Sequence, residues 1–237
     1  MAARTILFIQ NYATDPPHLV ADWLSELGFA IEVVKAYAGE DIPTTVPAHV
    51  SALIPLGGAM NALQDDEYPW LVKERHLIAT AVAAGVPVIG ICLGAQLLGA
   101  ALGGKVSRLQ ENEIGIYGIN QVADDAIMTL GHNAPTTQWH EDYVSELPEG
   151  ATLIASSQAC PTQIFKVGEL TYGLQCHPEA DASIVSLWEN KPDSAFSNFD
   201  RSQIETTIAE TVRAREVELR ETWKPVIQRW GKAVLEL

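Results

Sequence analysis

The stretch Ala79-Thr-Ala-Val-Ala-Ala-Gly85-Val-Pro-Val-Ile-Gly90-Ile-Cys92-Leu-Gly94-Ala-Gln96-Leu-Leu-Gly-Ala-Ala-Leu102 decides the fold. It is the most apolar part of the chain and is long enough to mimic a membrane span. Gly85, Pro87, Gly90 and Gly94 divide it instead into helix, strand and helix. Pro69 opens the first helix, which runs through Ala84 with Gly85 as its C-cap. Val86–Ile91 is a short, continuously apolar strand, and Leu93–Leu102 has helical spacing that stops at Gly103-Gly104. A short strand without polar alternation, set between helices, belongs to a parallel sheet covered on both faces.

The same grammar extends outward. Thr5–Ile9 reads as a buried strand. Asp15 caps a helix with Pro16 or Pro17 in its first turn, running to about Leu27. Phe29–Ala36 reads as a second strand and Val50–Leu56 as a third, ending in Gly57-Gly58. Beyond the quoted stretch the elements shorten. Val106–Leu109, Gly115–Val122, Thr152–Ala155, Gln163–Val167 and Thr171–Gln175 read as strands between turns, adding antiparallel strands to the sheet edge. After His177 the chain turns helical over Ala182–Glu189 and Arg201–Trp230, with Pro225 kinking or interrupting the latter. The expected class is α/β, a mostly parallel sheet with flanking helices. No Pro/Gly/Ser linker divides residues 1–237, so one domain is expected, with a core of about 5–190 and a C-terminal helical extension of about 199–237.

The chain has 237 residues, of which 30 are acidic and 15 basic, for a net charge of −15. A phosphate-binding surface needs concentrated Lys and Arg, so nucleic acid and anionic membrane are excluded as expected partners. Apolar residues make up 47% and charged residues 19%, which supports a sizeable core. Met1–Gln10 leads straight into a strand, without the long apolar run and cleavage site of a signal peptide. The cysteines are Cys92, Cys160 and Cys176. Their odd number and lack of ligand spacing argue against a disulfide framework and a zinc site. A reducing, cytoplasmic setting is expected.

Gly90-Ile91-Cys92-Leu93-Gly94 is the cysteine form of the G-x-S-x-G nucleophile elbow. Such a nucleophile stands on a tight turn, and a glycine two residues away on each side lets backbone approach without a Cβ clash. The N–H of Leu93 then points to where an oxyanion develops. The start of the following helix favours a thiolate. Taken alone, Cys92 also fits a small buried hydrophobe in a strand-end turn; the strand–turn–helix context favours chemistry. A thiol nucleophile needs a base. His177 ends the strand Thr171–Gln175, and parallel-sheet sites lie at the carboxyl ends of strands. Glu179, two residues on, is placed to fix the imidazole tautomer. Alone, His177 also fits a satisfied strand-end histidine and Glu179 a solvated loop carboxylate.

Together, Gly-Ile-Cys-Leu-Gly-Ala-Gln at 90–96 and His-Pro-Glu at 177–179 resemble the class I, triad-type glutamine amidotransferases. The likeness spans roughly Thr5 to Trp188. It is greatest to stand-alone members similar to the amidotransferase domain of GMP synthetase. The resemblance implies a flavodoxin-like fold and hydrolysis of the γ-amide of glutamine through a γ-glutamyl thioester. It implies Cys92 as nucleophile, His177 as base then acid, and Glu179 as the orienting carboxylate. It also implies oxyanion-hole N–H groups on Gly58 and Leu93, with Gly57 in the same loop. Gln96, one helical turn after Cys92, is then a contact for the substrate. Trp139-His140-Glu141-Asp142 resembles the family segment W-H-x-D, whose backbone lines the glutamyl pocket. Without the resemblance, the glycine pair reads as an ordinary turn, Gln96 as a helix-surface polar residue and Trp139 as an interfacial residue. Cys176 departs from the aromatic residue expected before His-Pro-Glu.

No metal or organic cofactor is expected, and no G-x-x-x-x-G-K-[ST] loop is present. Three functions remain open on sequence. The favoured one is hydrolysis of glutamine or a glutamine-like γ-glutamyl amide or peptide, releasing glutamate and an amine. The second is a glutaminase subunit feeding ammonia to a separate synthase chain. The third is a non-catalytic regulatory or partner-binding module. Asp65-Asp66-Glu67 reads as a solvated turn, Glu210–Glu221 as an ion-paired helix face, and Trp188, Trp223 and Trp230 as core or interface anchors.

Overall fold

Strand β1 (Thr5–Gln10) shows how the layers form. Ile6 and Phe8 join one apolar cluster, while Leu7 and Ile9 join another. Alternate residues point to opposite faces of a strand, so a run apolar at every position is one buried on both sides. In the computed structural model, which describes residues 4–191, 197, 199–200 and 205–237, β1 sits inside a nine-stranded sheet.

The strand order is β2 (Ala30–Lys35), β1, β3 (Val50–Pro55), β4 (Val88–Ile91), β9 (Thr171–Leu174), β8 (Ile164–Val167), β7 (Thr152–Ser156), β5 (Lys105–Gln121) and β6 (Ala134–Glu146). From β2 to β9 every pairing is parallel. From β9 to β6 every pairing is antiparallel. The parallel part has the flavodoxin-like order that the family resemblance implies. Helices α1 (His18–Ser25) and α6 (Glu216–Glu236) bring Leu19, Trp23, Trp223 and Trp230 to the Ile6 and Phe8 side. Helices α2 (Trp70–Ala83) and α3 (Leu93–Ala101) bring Leu71, Leu77 and Leu97 to the other. Helices α4 (Ala182–Asn190) and α5 (Ile208–Ala214) enclose a third cluster with Ile114 and Trp139 of β5 and β6. Trp223 and Trp230 are fully buried, so truncating either to Ala costs about 3–5 kcal/mol.

Several elements differ from the sequence reading. Strand β6 has no counterpart there. Its buried residues include Thr136, Thr137, Gln138, His140 and Asp142, so no apolar periodicity marked it. Val106–Leu109 and Gly115–Val122 are parts of one long strand, β5, with an irregularity between Arg108 and Glu113. Asp15 does not cap α1; Pro17 holds that position, and Asp15 is buried near the glycine loop. The long C-terminal helix breaks at Arg215 rather than Pro225, and its expected first residues, 201–204, lie outside the described residues. Pro225 removes one N–H donor from α6 without ending it, because Trp223, Val226, Ile227 and Trp230 around it are held in the core. No helix among the described residues is long and apolar enough to cross a membrane.

Candidate active site

The carboxyl ends of β1, β3, β4 and β9 deliver Asn11, Gly57-Gly58, Cys92 and His177 to one place. This is the end of a parallel sheet where ligand sites form. Cys92 occupies φ 51°, ψ −108°, a strained conformation for a residue with a Cβ. Two close approaches hold it there. A Cβ on Gly94 would collide with the Pro55 carbonyl, and one on Gly90 would collide with the Gly94 carbonyl. The Cys92 N–H also donates to the Leu174 carbonyl at 2.7 Å, tying the elbow to β9. The sulfur lies at the N-terminus of α3, whose dipole favours negative charge. It sits 4.0 Å from the Trp139 carbonyl and 3.6 Å from the Gln175 side-chain nitrogen.

His177 is buried, and its N–H donates to the Thr137 carbonyl of β6 at 2.9 Å. Its Nδ1 lies 2.7 Å from Glu179 Oε1. A carboxylate only accepts, so Nδ1 carries a proton, and Nε2 is the nitrogen that takes up or releases the second one. Among the described residues Nε2 has no conventional hydrogen-bond partner. Burial lowers the imidazole's proton affinity, but the Cys92 sulfur and the Glu179 carboxylate outweigh it, so the pKa stands well above its ordinary value. The ring packs against Trp188 at 4.7 Å between centroids, and Trp188 packs against Trp139 at 5.4 Å. Trp188 Nε1 donates to the Thr14 carbonyl at 3.1 Å, which fixes this aromatic wall.

A side chain at Gly57 would crowd the histidine: its Cβ would lie 3.2 Å from His177 Cε1. A Cβ on Gly58 would lie 3.0 Å from Leu93 Cδ2, so the glycine loop and the start of α3 are in contact. Among the described residues, neither the Gly58 N–H nor the Leu93 N–H is taken up by a turn hydrogen bond. A cleft of about 220 Å³ opens beside Cys92, between Gly58, Gln96, Arg108 and the segment Trp139–Asp142. Gln96 Nε2 donates to the Asp142 carbonyl at 3.0 Å and to Gln175 Oε1 at 3.3 Å. His140 borders the cleft, but its ring nitrogens lie 3.0 Å from the Asp142 carbonyl and 3.1 Å from Glu113. Neither is left for a substrate.

The structure therefore brings Cys92, His177, Glu179, Gly57, Gly58, Leu93, Gln96 and Trp139 around one centre. Sequence reasoning passed over Gln175, Arg108 and the role of Trp188. These residues carry no periodicity or motif of their own, and tertiary contact alone brings them to the site. Cys176, beside His177, is fully buried, and that burial pushes its thiol pKa up.

The family model for class I glutamine amidotransferases matches residues 10–185, a span that contains both the elbow and the His-Pro-Glu segment. The chain belongs to the class I glutamine amidotransferase family. Among relatives of this chain, the glutamine amidotransferase-like protein YfeJ of Salmonella typhimurium is 37% identical over 170 residues, covering 69% of this chain and 70% of that protein. The glutamine-hydrolysing GMP synthase of Clostridium perfringens is 33% identical over 184 residues, covering 75% of this chain and 34% of the synthase. The chain thus spans about a third of the synthase's length. A glutamine amidotransferase structure from Thermotoga maritima superposes with a TM-score of 0.85 at 26% identity, covering 98% of this chain and all of that one. One from Methylobacillus flagellatus gives 0.85 at 28% identity, covering 98% and 96%.

Proposed function

We propose that this chain hydrolyses the γ-amide of glutamine, or of a glutamine-like γ-glutamyl amide or peptide, through Cys92, His177 and Glu179. The observation that carries the reading is His177 Nε2, which among the described residues has no partner but the Cys92 sulfur. A buried imidazole, oriented by Glu179 at 2.7 Å and with its second nitrogen left for the sulfur, stands beside a cysteine on a strained elbow. In this reading the Cys92 thiolate attacks the γ-carbonyl carbon, and the Leu93 and Gly58 N–H groups receive the oxyanion. His177 protonates the departing amine as the C–N bond breaks, leaving a γ-glutamyl thioester. Water, deprotonated by His177, attacks the thioester, and glutamate leaves as the thiolate is restored. Glutamine's head carries both an ammonium and a carboxylate. The rim of the cleft offers Arg108 beside Glu141 and Asp142, one charge sign for each group.

Similarity to GMP synthases favours a second reading, in which the released ammonia serves a synthase on another chain. Both readings require a reducing compartment for the free thiol. Glutamate release should be measured from glutamine, γ-glutamyl anilides and γ-glutamyl dipeptides, for wild type and Cys92→Ser. Cys92-dependent release from a bulky amide selects the hydrolase. Release from glutamine only when a partner synthase is added selects the subunit. If no substrate yields Cys92-dependent glutamate and no thioester is trapped, the chain is a binding module.

A further inference from the structure

We propose that Gln175 is a further catalytic residue: its side-chain amide donates a hydrogen bond to the Cys92 thiolate, and a fixed chain of buried polar groups keeps it pointed that way. The inference rests on the reading of Cys92 as the nucleophile.

The direction of the chain follows from one backbone carbonyl. The Asp142 oxygen can only accept, and Gln96 lies 3.0 Å from it through the side-chain nitrogen. That sets which end of the Gln96 amide is which. The second hydrogen of the same nitrogen goes to Gln175 at 3.3 Å, so the Gln175 atom facing it is the oxygen. The Gln175 nitrogen is then left facing the Cys92 sulfur at 3.6 Å. Flipping either amide would set like against like, oxygen against oxygen at Asp142 or nitrogen against nitrogen between the glutamines. The same carbonyl is held from its other side by His140 Nδ1 at 3.0 Å, whose Nε2 faces Glu113 at 3.1 Å. Every side chain in the sequence Glu113, His140, Gln96, Gln175 is at most 4% exposed. These bonds are therefore largely shielded from bulk water.

An N–H group held against sulfur is worth more to the charged form than to the neutral one. A thiolate is a charge-assisted acceptor, whereas a thiol is a weak one. When the sulfur is acylated it loses its charge, and the bond weakens. Gln175 therefore favours the attacking form of the resting enzyme and the departure of the thiolate in the second half-reaction. Its place in the Gln-Cys-His-Pro-Glu segment, two residues before His177, puts the donor and the base on one strand end.

The test is the rate of Cys92 alkylation by iodoacetamide against pH, with the modified residue identified by mass. Gln175→Met keeps the volume and loses the donor. Gln175→Glu keeps an oxygen for Gln96 and sets an acceptor against the sulfur. For Gln175→Met the midpoint of the alkylation profile should move to higher pH by about one unit, with alkylation about tenfold slower at neutral pH. For Gln175→Glu the displacement should be larger. Circular dichroism and thermal melting establish that each variant is folded; the two variants fail by different routes, so either suffices. A folded variant whose alkylation profile overlays wild type overturns the proposal, whatever its melting temperature. If Cys92 alkylation shows the expected displacement but no substrate yields Cys92-dependent glutamate, the hydrolytic reading fails and the thiolate donor stands.

Discussion

Among the described residues are two buried groups of Cys, His and Glu: Cys92 with His177 and Glu179, and Cys160 with His140 and Glu113. In both, an imidazole nitrogen lies close to a carboxylate, at 2.7 Å in the first and 3.1 Å in the second. They differ in what is left over. Glu113 also accepts from Ser157 and Gln163, each at 2.6 Å. His140 has both nitrogens engaged, and the Cys160 thiol donates to the Thr162 carbonyl at 3.3 Å. Burial, with the nearby Glu113 carboxylate, pushes the Cys160 pKa up. The potential ligand atoms of this second group lie within 4.8 Å of one another, close enough for a metal ion, yet their hydrogen-bonding capacity is already spent on the protein. In the first group, Nε2 has no partner among the described residues but the Cys92 sulfur, which lies at a helix N-terminus on a strained turn. Identical residue types make a structural brace when their polar atoms are satisfied by the protein, and in the proposed reading a reactive centre when an imidazole nitrogen is kept for the sulfur.

The sharpest way to break this contrast is to remove each sulfur in turn. Cys92→Ser should lower glutamate release at least about a thousandfold, while Cys160→Ser should remain within about twofold of wild type. Comparable losses in steady-state assays of both variants would erase the distinction. Next comes Glu179→Gln, which leaves the imidazole without its orienting carboxylate. We expect kcat to fall about a hundredfold or more. The raised pKa of His177 depends in part on Glu179, so the variant's pH–rate limb should move to lower pH.

The brace should answer to stability instead. Glu113→Gln or His140→Gln each leaves a buried partner uncompensated, and a loss of about 3 kcal/mol in urea unfolding is expected. A fall in kcat of about a hundredfold or more, without destabilisation, would move this group into the reaction. Glu74 supplies a control with no imidazole. It is fully buried, hydrogen-bonded to Asn11 at 3.1 Å, and pushed up to about 8 chiefly by burial. A carboxyl with a raised folded-state pKa binds its proton more tightly in the native state. The stability tied to Glu74 is thus complete below its unfolded value, near pH 4.5, and is lost as pH rises through about 8. Glu74→Gln should flatten that decline, by on the order of 3 kcal/mol between pH 5 and pH 9. Equal pH dependence in both proteins would show Glu74 to be ionised or solvated.

His177 gives the smallest stability effect to read. Its raised pKa means that its contribution is present below its unfolded value and is lost as pH rises through the folded one. Cys92→Ser removes one cause of that rise, so melting of the variant should depend less on pH in the neutral-to-alkaline range.

The legible parts of the sequence were those written in apolar residues or in glycine. β1, β3 and β4 lie within a residue or two of the expected strands, because a strand buried on both faces must be apolar throughout. The elbow was readable because a tight turn crossed by other backbone admits only glycine at Gly90 and Gly94. β6 was not readable. Its buried face is Thr, Gln, His and Asp, stabilised by hydrogen bonds to partners far along the chain, and such partners leave no local period. Pro225 misled for a related reason: the local cost of a proline was outweighed by two buried tryptophans.

By itself, then, the sequence determined the layered α/β architecture, the turn that presents Cys92, and the pairing of His177 with a carboxylate two residues away. These depend on local spacing and on which residues tolerate burial. Only the tertiary structure decided which of two Cys, His and Glu sets keeps an imidazole nitrogen for its sulfur, and that Gln175 faces that sulfur. Those outcomes depend on which donor meets which acceptor across the sheet, and a hydrogen bond between residues 96 and 175, or 113 and 140, leaves no local trace in the sequence.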